Sequence, residues 1–146
     1  MPTIIFPMQR ACRVEILDMK EARMRDRKTT IRAASDRIAS QRDGWIARNF
    51  FYYQQDAEYM RFLTPPGLRV LDLGCGTGDL LANLKPSKGV GVDFSEHMIN
   101  IARGKYPELD FSAGDIEDPQ FIDELDGPFD IIVLSDTIGL LDDCEA

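Results

Sequence analysis

Leu71-Asp72-Leu73-Gly74-Cys75-Gly76-Thr77-Gly78-Asp79 is the stretch whose reading decides the fold. A short apolar run that begins at Arg69 ends here in three glycines, and Leu80, Leu81 and Leu84 follow at helical spacing. The pattern reads as strand, tight turn and helix. Glycines permit positive φ and a close backbone approach, so a ligand can lie against the turn and the start of the next helix. The glycines are spaced G-x-G-x-G, whereas dinucleotide-binding loops carry G-x-G-x-x-G. Asp72 also stands two residues before the first glycine, where a carboxylate would repel a pyrophosphate and attract an ammonium group.

Downstream, the same alternation repeats. Gly89-Val90-Gly91-Val92-Asp93 forms a second strand, and Ser95 is a good N-cap for a helix containing Met98, Ile99, Ala102 and Tyr106. Leu109 to Ser112 reads as a third strand and Phe129 to Leu134 as a fourth. Strands alternating with helices of this length imply βαβ units and a parallel sheet, so the fold class is α/β. Asp72, Asp93, Asp115 and Asp136 follow the four strands at steps of 21, 22 and 21 residues, one βα unit each. Equal steps return the chain to one edge, which places all four carboxylates at the carboxyl ends of the strands, where open α/β sheets bind ligands.

Upstream, Cys12 to Asp43 is charged and free of Gly and Pro, with Ile31, Ala34, Ile38 and Trp45 recurring as a narrow apolar stripe. The interspersed acids fit a solvated helix face. Gly44 is expected to interrupt this helix, and an aromatic-rich helical stretch from Trp45 to Leu63 ends at Thr64-Pro65-Pro66-Gly67. The expected organisation is a helical flank or lid over 1–63 and an α/β domain over 64–146.

Composition bounds the function. The 146 residues are enough for one ordinary domain, and 44% hydrophobic content supports a packed core. No apolar run reaches the length of a membrane helix, and the start has no signal-peptide layout. Three widely spaced cysteines and the single His97 suit neither a disulfide framework nor a metal site. A reduced, cytoplasmic protein without metal is the expectation. The net charge is −8, but residues 1–43 carry ten basic and six acidic side chains, against seven basic and nineteen acidic in 44–146. The acidic main body argues against nucleic acid as a partner.

Taken in order, Val70 to Gly78 resembles the first motif of class I S-adenosylmethionine-dependent methyltransferases. Val90-Gly91-Val92-Asp93-Phe94-Ser95-Glu96-His97-Met98 resembles their second, Ala113-Gly114-Asp115-Ile116 their third, and Phe129 to Asp136 their fourth. The match covers residues 67 to about 141. The resemblance implies a Rossmann-like doubly wound parallel sheet with strand 1 between strands 2 and 4. It also implies S-adenosyl-L-methionine as cofactor, S-adenosyl-L-homocysteine as product and a small-molecule methyl acceptor. By the same resemblance the backbone of Gly74, Gly76 and Gly78 contacts the methionine part, flanked by Cys75 and Thr77, with Asp72 near its amino group. Asp93 takes the ribose hydroxyls, beside Ser95, while Phe94 and Met98 sandwich the adenine. Asp115 accepts from the exocyclic amine and the Ile116 backbone bonds a ring nitrogen. Ser135 and Asp136 fall near the sulfonium, where Asp136 is the candidate general base, and Tyr53 is a candidate to close over the site.

Two other readings share part of these observations. A nicotinamide-dependent oxidoreductase is consistent with Asp93 lying 19 residues after Gly74, but glycine spacing and Asp72 oppose it. A non-catalytic cofactor-binding module is compatible with a chain that reaches only strand 4. The family's sheet has seven strands, so the chain is expected to be truncated after strand 4, leaving an apolar strand edge open to self-association.

Overall fold

The computed structural model describes residues 11–142, with side chains from residue 22 onward. Two compact units divide the chain, one ending at Ile31 and the other beginning at Arg32. Helix α1 runs from Ala11 to Arg48 and α2 from Phe50 to Leu63. In the first unit the hydroxyls of Thr29 and Thr30 donate to the carbonyls of Arg25 and Asp26, one helical turn back.

The helix break falls at Asn49, five residues later than Gly44 suggested. One glycine inside a helix costs only about 1 kcal/mol, too little to end it, and a Cβ at Gly44 would meet nothing within 4 Å, so no close approach requires a glycine there. Asn49 leaves the helical region at φ −107°, ψ 31°, and its side-chain amide donates to the Trp45 carbonyl. The stripe expected on α1 is also corrected. Ile38 and Trp45 are 50% and 55% exposed, whereas Ala39 is 2% exposed. Residues 36, 39, 43 and 46 form the face turned inward, so it carries two aspartates.

Within the second unit the chain continues as β1 (Arg69–Leu73), α3 (Asp79–Leu84), β2 (Lys88–Asp93), α4 (Glu96–Lys105), β3 (Asp110–Ala113), α5 (Pro119–Asp123) and β4 (Ile131–Val133). All strand pairs are parallel, in the order β3-β2-β1-β4. This is the Rossmann-like arrangement and strand order that the sequence implied. Helix α5 was not anticipated, although Asp118 as N-cap and Pro119 in the first turn are its signals. Asp118 accepts from the Gln120 N–H at 3.0 Å.

Side chains of β1 alternate between the two faces of the sheet, each covered by its own core. Val70 packs with Leu81, Leu84, Ile99, Ala102, Phe111 and Val133. Leu71 packs with Val90 and Val92 on the other side, against Ile116, Phe121 and Phe129. Buried on both faces, the central strands hold β1 and its terminal loop rigidly. Asp72 is aligned with Gly91 of β2 and Val133 of β4, which sets its carboxylate at the middle of the sheet's carboxyl end.

Candidate cofactor-binding site

The loop after β1 is fixed from beneath by β2. The N–H groups of Gly74 and Cys75 both donate to the Val92 carbonyl, at 2.7 and 2.9 Å. Gly74 has φ 87°, and a Cβ there would come within 1.9 Å of the Thr137 hydroxyl, so the β1 and β4 loops touch only because this residue has no side chain. Gly76 differs: at φ 55° a Cβ would meet nothing within 4 Å. Its Cα therefore faces open space, while its N–H is taken by Asp93.

That space is a cavity of about 310 Å³. Of the residues singled out in the sequence, Tyr53, Asp72, Gly74, Cys75, Gly76 and Thr77 line it, together with Ser135 and Asp136 from the loop after β4. Gly78, Asp93, Phe94, Ser95, Met98, Asp115 and Ile116 are not part of that lining. Gly78 begins α3 at φ 83°. Met98 is buried in α4, and Ile116 packs on the Leu71 side of the sheet. Asp115 accepts from the Glu117 N–H at 2.9 Å. The sequence did not single out Arg42, Phe50 or Arg61, which also face the cavity. They belong to the helices before the glycine loop, where no local motif marks them.

Asp72 is 1% exposed, and one of its carboxylate oxygens has no hydrogen-bond partner. Burial pushes its carboxyl up to about 7, and the charge of Asp93 adds to the shift. A buried acceptor without a donor is costly to the fold, and here it belongs to a residue that lines a cavity. A ligand ammonium fits it, supplying both donor and opposite charge. Asp93 accepts from the Gly76 N–H and from the Ser95 N–H, each at 2.9 Å. Burial raises its carboxyl as well, opposed by those two N–H groups and by Arg42. Each Asp93 oxygen keeps a further lone pair able to accept another hydrogen bond.

Residues 32–43 of α1 engage both loops. The Arg32 guanidinium carbon lies 4.1 Å from the centroid of the Phe94 ring. The Ser95 hydroxyl donates to Asp36 while accepting from the Met98 N–H, and His97 Nδ1 is 3.1 Å from the same Asp36 carboxylate. Thr77 donates to Asp43 at 2.8 Å, and Lys105 bridges Asp43 and Asp79. Burial opposes the charge on Asp79, but hydrogen bonds from Lys105 and Tyr106 outweigh it and hold the carboxyl below its ordinary value. The acids of α1 that seemed part of a solvated face are thus the contacts that hold it to the α/β unit.

Asp136 occupies left-handed backbone at φ 57°, a conformation Asp tolerates better than most residues. Cys75 is a buried free thiol whose pKa is pushed up by burial and by Asp72 and Asp93, so it is a small packing residue of the loop. Among the described residues no cluster of His, Cys, Asp and Glu could hold a metal ion, and no helix is long and apolar enough to cross a membrane.

A doubly wound sheet with a glycine loop and carboxylates at the ends of β1 and β2 defines a class of nucleoside-cofactor folds. The model of one family, described as a methyltransferase domain, matches residues 45–146, and the chain belongs to that family. This membership sets aside the nicotinamide-dependent alternative. The chain is 35% identical over 79 residues to a magnesium-protoporphyrin O-methyltransferase of Rhodobacter capsulatus, covering 49% of this chain and 33% of that protein. It is 41% identical over 59 residues to a demethylmenaquinone methyltransferase of Chlorobaculum parvum, covering 38% and 24%. The chain therefore aligns with a third or less of the length of these relatives. Among solved structures, the magnesium protoporphyrin IX methyltransferase of Synechocystis PCC 6803 with bound S-adenosylmethionine has the same fold. Its TM-score is 0.60 at 22% identity, over 79% of this chain and 64% of that one.

Proposed function

We propose that this chain binds S-adenosyl-L-methionine and serves methyl transfer to a small-molecule acceptor. The buried Asp72, with a carboxylate oxygen that has no partner, in the cavity wall that it shares with Gly76 carries the proposal, because it fits the ammonium of an amino-acid moiety and disfavours a pyrophosphate. Relatives named for magnesium-protoporphyrin and demethylmenaquinone support a small molecule as acceptor.

When bound, the cofactor supplies an electrophilic methyl group on a sulfonium sulfur. Asp72 and the Gly74–Gly78 loop hold the methionine end, with Cys75 and Thr77 shaping the turn. Asp93 accepts from the ribose hydroxyls and Ser95 keeps that loop in place. Phe94 and Met98 bracket the adenine, which Asp115 and the Ile116 backbone identify. Tyr53 and Ser135 close the cavity near the reacting end. Positioning of the acceptor in line with the methyl group can supply most of the rate. Asp136 takes the acceptor's proton where the acceptor must lose one. The reduced thiol of Cys75 is compatible with a cytoplasmic setting, and the acidic main body with the absence of nucleic acid as a partner.

Thermal shifts with S-adenosylmethionine, S-adenosylhomocysteine and NADH in parallel test the reading. At 100-fold excess over the dissociation constant a ligand stabilises by about 2.7 kcal/mol, several degrees for a domain of this size. Shifts with the first two and none with NADH are expected; a shift with NADH alone overturns the reading.

A further inference from the structure

Helix α2 turns its more apolar side outward. Ala57 is buried and Tyr53 and Met60 are half-buried on the side that packs against α3 and the core. Phe51, Tyr52, Tyr59, Phe62 and Leu63 recur at helical spacing on the opposite side, and every one of them is more than half exposed. Phe62 reaches 82%. Gln55 is the polar residue among them, and its amide is turned to Glu58. Packing within the fold accounts for none of these five side chains, and an apolar stripe along a whole surface helix marks a place where something docks.

Charge separates in the same direction. Arg42 and Ile46 of α1 line one cavity with Tyr53 and Ala57 of α2, so the two helices share an inward and an outward side. Over residues 33–48 the acids Asp36 and Asp43 turn inward to Ser95, Thr77 and Lys105. The exposed charged residues of that stretch are Arg37 and Arg48, with the exposed Trp45 one turn before Arg48. The remainder of the chain, 64–146, carries five basic and seventeen acidic side chains. The helical side is therefore aromatic and cationic on a body that is strongly acidic.

Three occupants could cover such a side, and the observations favour one. A second copy needs about 800 Å² from each partner. A helix of 14 residues is about 21 Å long and 10–12 Å across, so its outward stripe offers about 200–250 Å². A nucleic acid needs cations along its whole track, and the stripe of α2 carries none. A bilayer surface takes both features: aromatic rings settle at the headgroup level, and arginines are drawn to anionic lipid. The acidic body is repelled by that same surface, which leaves the helical side to face it.

We infer that the outward side of α2, with Arg37, Trp45 and Arg48 of α1, is a docking surface for an anionic lipid bilayer, on which the helices lie flat. Adsorption of this kind needs no spanning helix. The inference does not depend on the cofactor.

Cosedimentation of the full chain with vesicles tests it, using phosphatidylcholine alone and a two-to-one mixture of phosphatidylcholine with phosphatidylglycerol. Binding to the mixed vesicles is expected, and it should weaken with added salt. Trp45 is the sole tryptophan, so its emission should shift to the blue on binding. Arg37→Gln and Arg48→Gln should each weaken partitioning about fivefold on mixed vesicles and leave any binding to phosphatidylcholine alone unchanged. Phe51→Ser and Phe62→Ser should each cost on the order of tenfold. Phe51→Leu and Phe62→Leu should keep most of the binding, which separates lost apolar contact from a disturbed fold. Serine variants that bind like wild type overturn the inference, as does binding that ignores both phosphatidylglycerol and salt. Retention of a duplex RNA without retention of vesicles overturns it in favour of a nucleic acid. Absence of vesicle binding, with self-association that Phe62→Ser abolishes and Ile132→Lys does not, assigns the stripe to a second copy and overturns it as well.

Discussion

The guanidinium of Arg32 lies over the face of the Phe94 ring, 4.1 Å from its centroid. Phe94 is the residue proposed to stack on adenine, so Arg32 holds the position that a nucleobase would take. The contact is worth about 0.5–1 kcal/mol at an exposed site. Arg32→Ala should therefore tighten S-adenosylhomocysteine roughly two- to fivefold by calorimetry. A weaker affinity in this variant would mean that Arg32 lies against the ligand and does not compete with it.

Asp72 makes stability and binding depend on pH in opposite senses. Its carboxyl is raised to about 7 in the folded chain, above an ordinary value of 3.8. Between about pH 4 and 7 the folded state keeps a proton that the unfolded state has released, so this group's contribution to stability falls as pH rises and is constant above. Asp36 and Asp79 are lowered and act in the reverse sense, losing stability as pH falls. The difference between wild type and Asp72→Asn isolates the one group. Urea unfolding from pH 4 to 8 should show the variant gaining on the wild type as pH increases. Affinity for S-adenosylhomocysteine should rise with pH toward about 7, by at most about tenfold per unit, and then level off. A flat affinity over that range would remove the Asp72 charge from the binding site.

Gly74 and Gly76 should respond differently to the same substitution. Both have positive φ, which costs a non-glycine residue about 1–2 kcal/mol. Only at Gly74 does a new Cβ strike Thr137, adding about 1–3 kcal/mol of overpacking. Gly74→Ala should lower the urea midpoint clearly more than Gly76→Ala. The latter puts its methyl at the open loop face and should act mainly on ligand affinity. Equal losses of stability would show that the approach of the two loops is not what requires Gly74.

At the other side of the sheet, β4 pairs with β1 and has no second strand beside it among the described residues. Ile132 is 57% exposed there. An apolar strand edge of this kind pairs with other chains unless it is covered. The 146-residue chain should self-associate with rising concentration in size-exclusion chromatography with light scattering. Ile132→Lys should shift it toward monomer. A wild-type chain that stays monomeric at high concentration would sink this expectation.

Much of this protein was legible in the residues alone. The order of strands and helices, the glycine loop after β1 and the carboxylates at the strand ends follow from local patterning, because apolar periodicity and glycine placement act within a few residues. The bounds of β1 coincide with those read from Arg69 to Leu73, and Ser95 caps α4 as its side chain suggested. The sheet order β3-β2-β1-β4 was also implied, but by family resemblance, since periodicity cannot say which strands are neighbours.

What only the tertiary structure decided lies in α1 and α2. Their charged residues look alike in sequence, and nothing nearby distinguishes an acid in solvent from one that meets a partner sixty residues away. Asp36 finds the Ser95 hydroxyl and Asp43 finds Thr77 and Lys105, while Ile38 and Trp45 are left exposed. The inward face of α1 is set by hydrogen bonds to distant loops and not by its apolar stripe. Arg42 joins the cavity for the same reason: the face that carries Asp36 and Asp43 inward carries Arg42 with it. A side chain's partner across the fold depends on how helices dock, and docking is a sum of contacts that no single stretch of sequence contains.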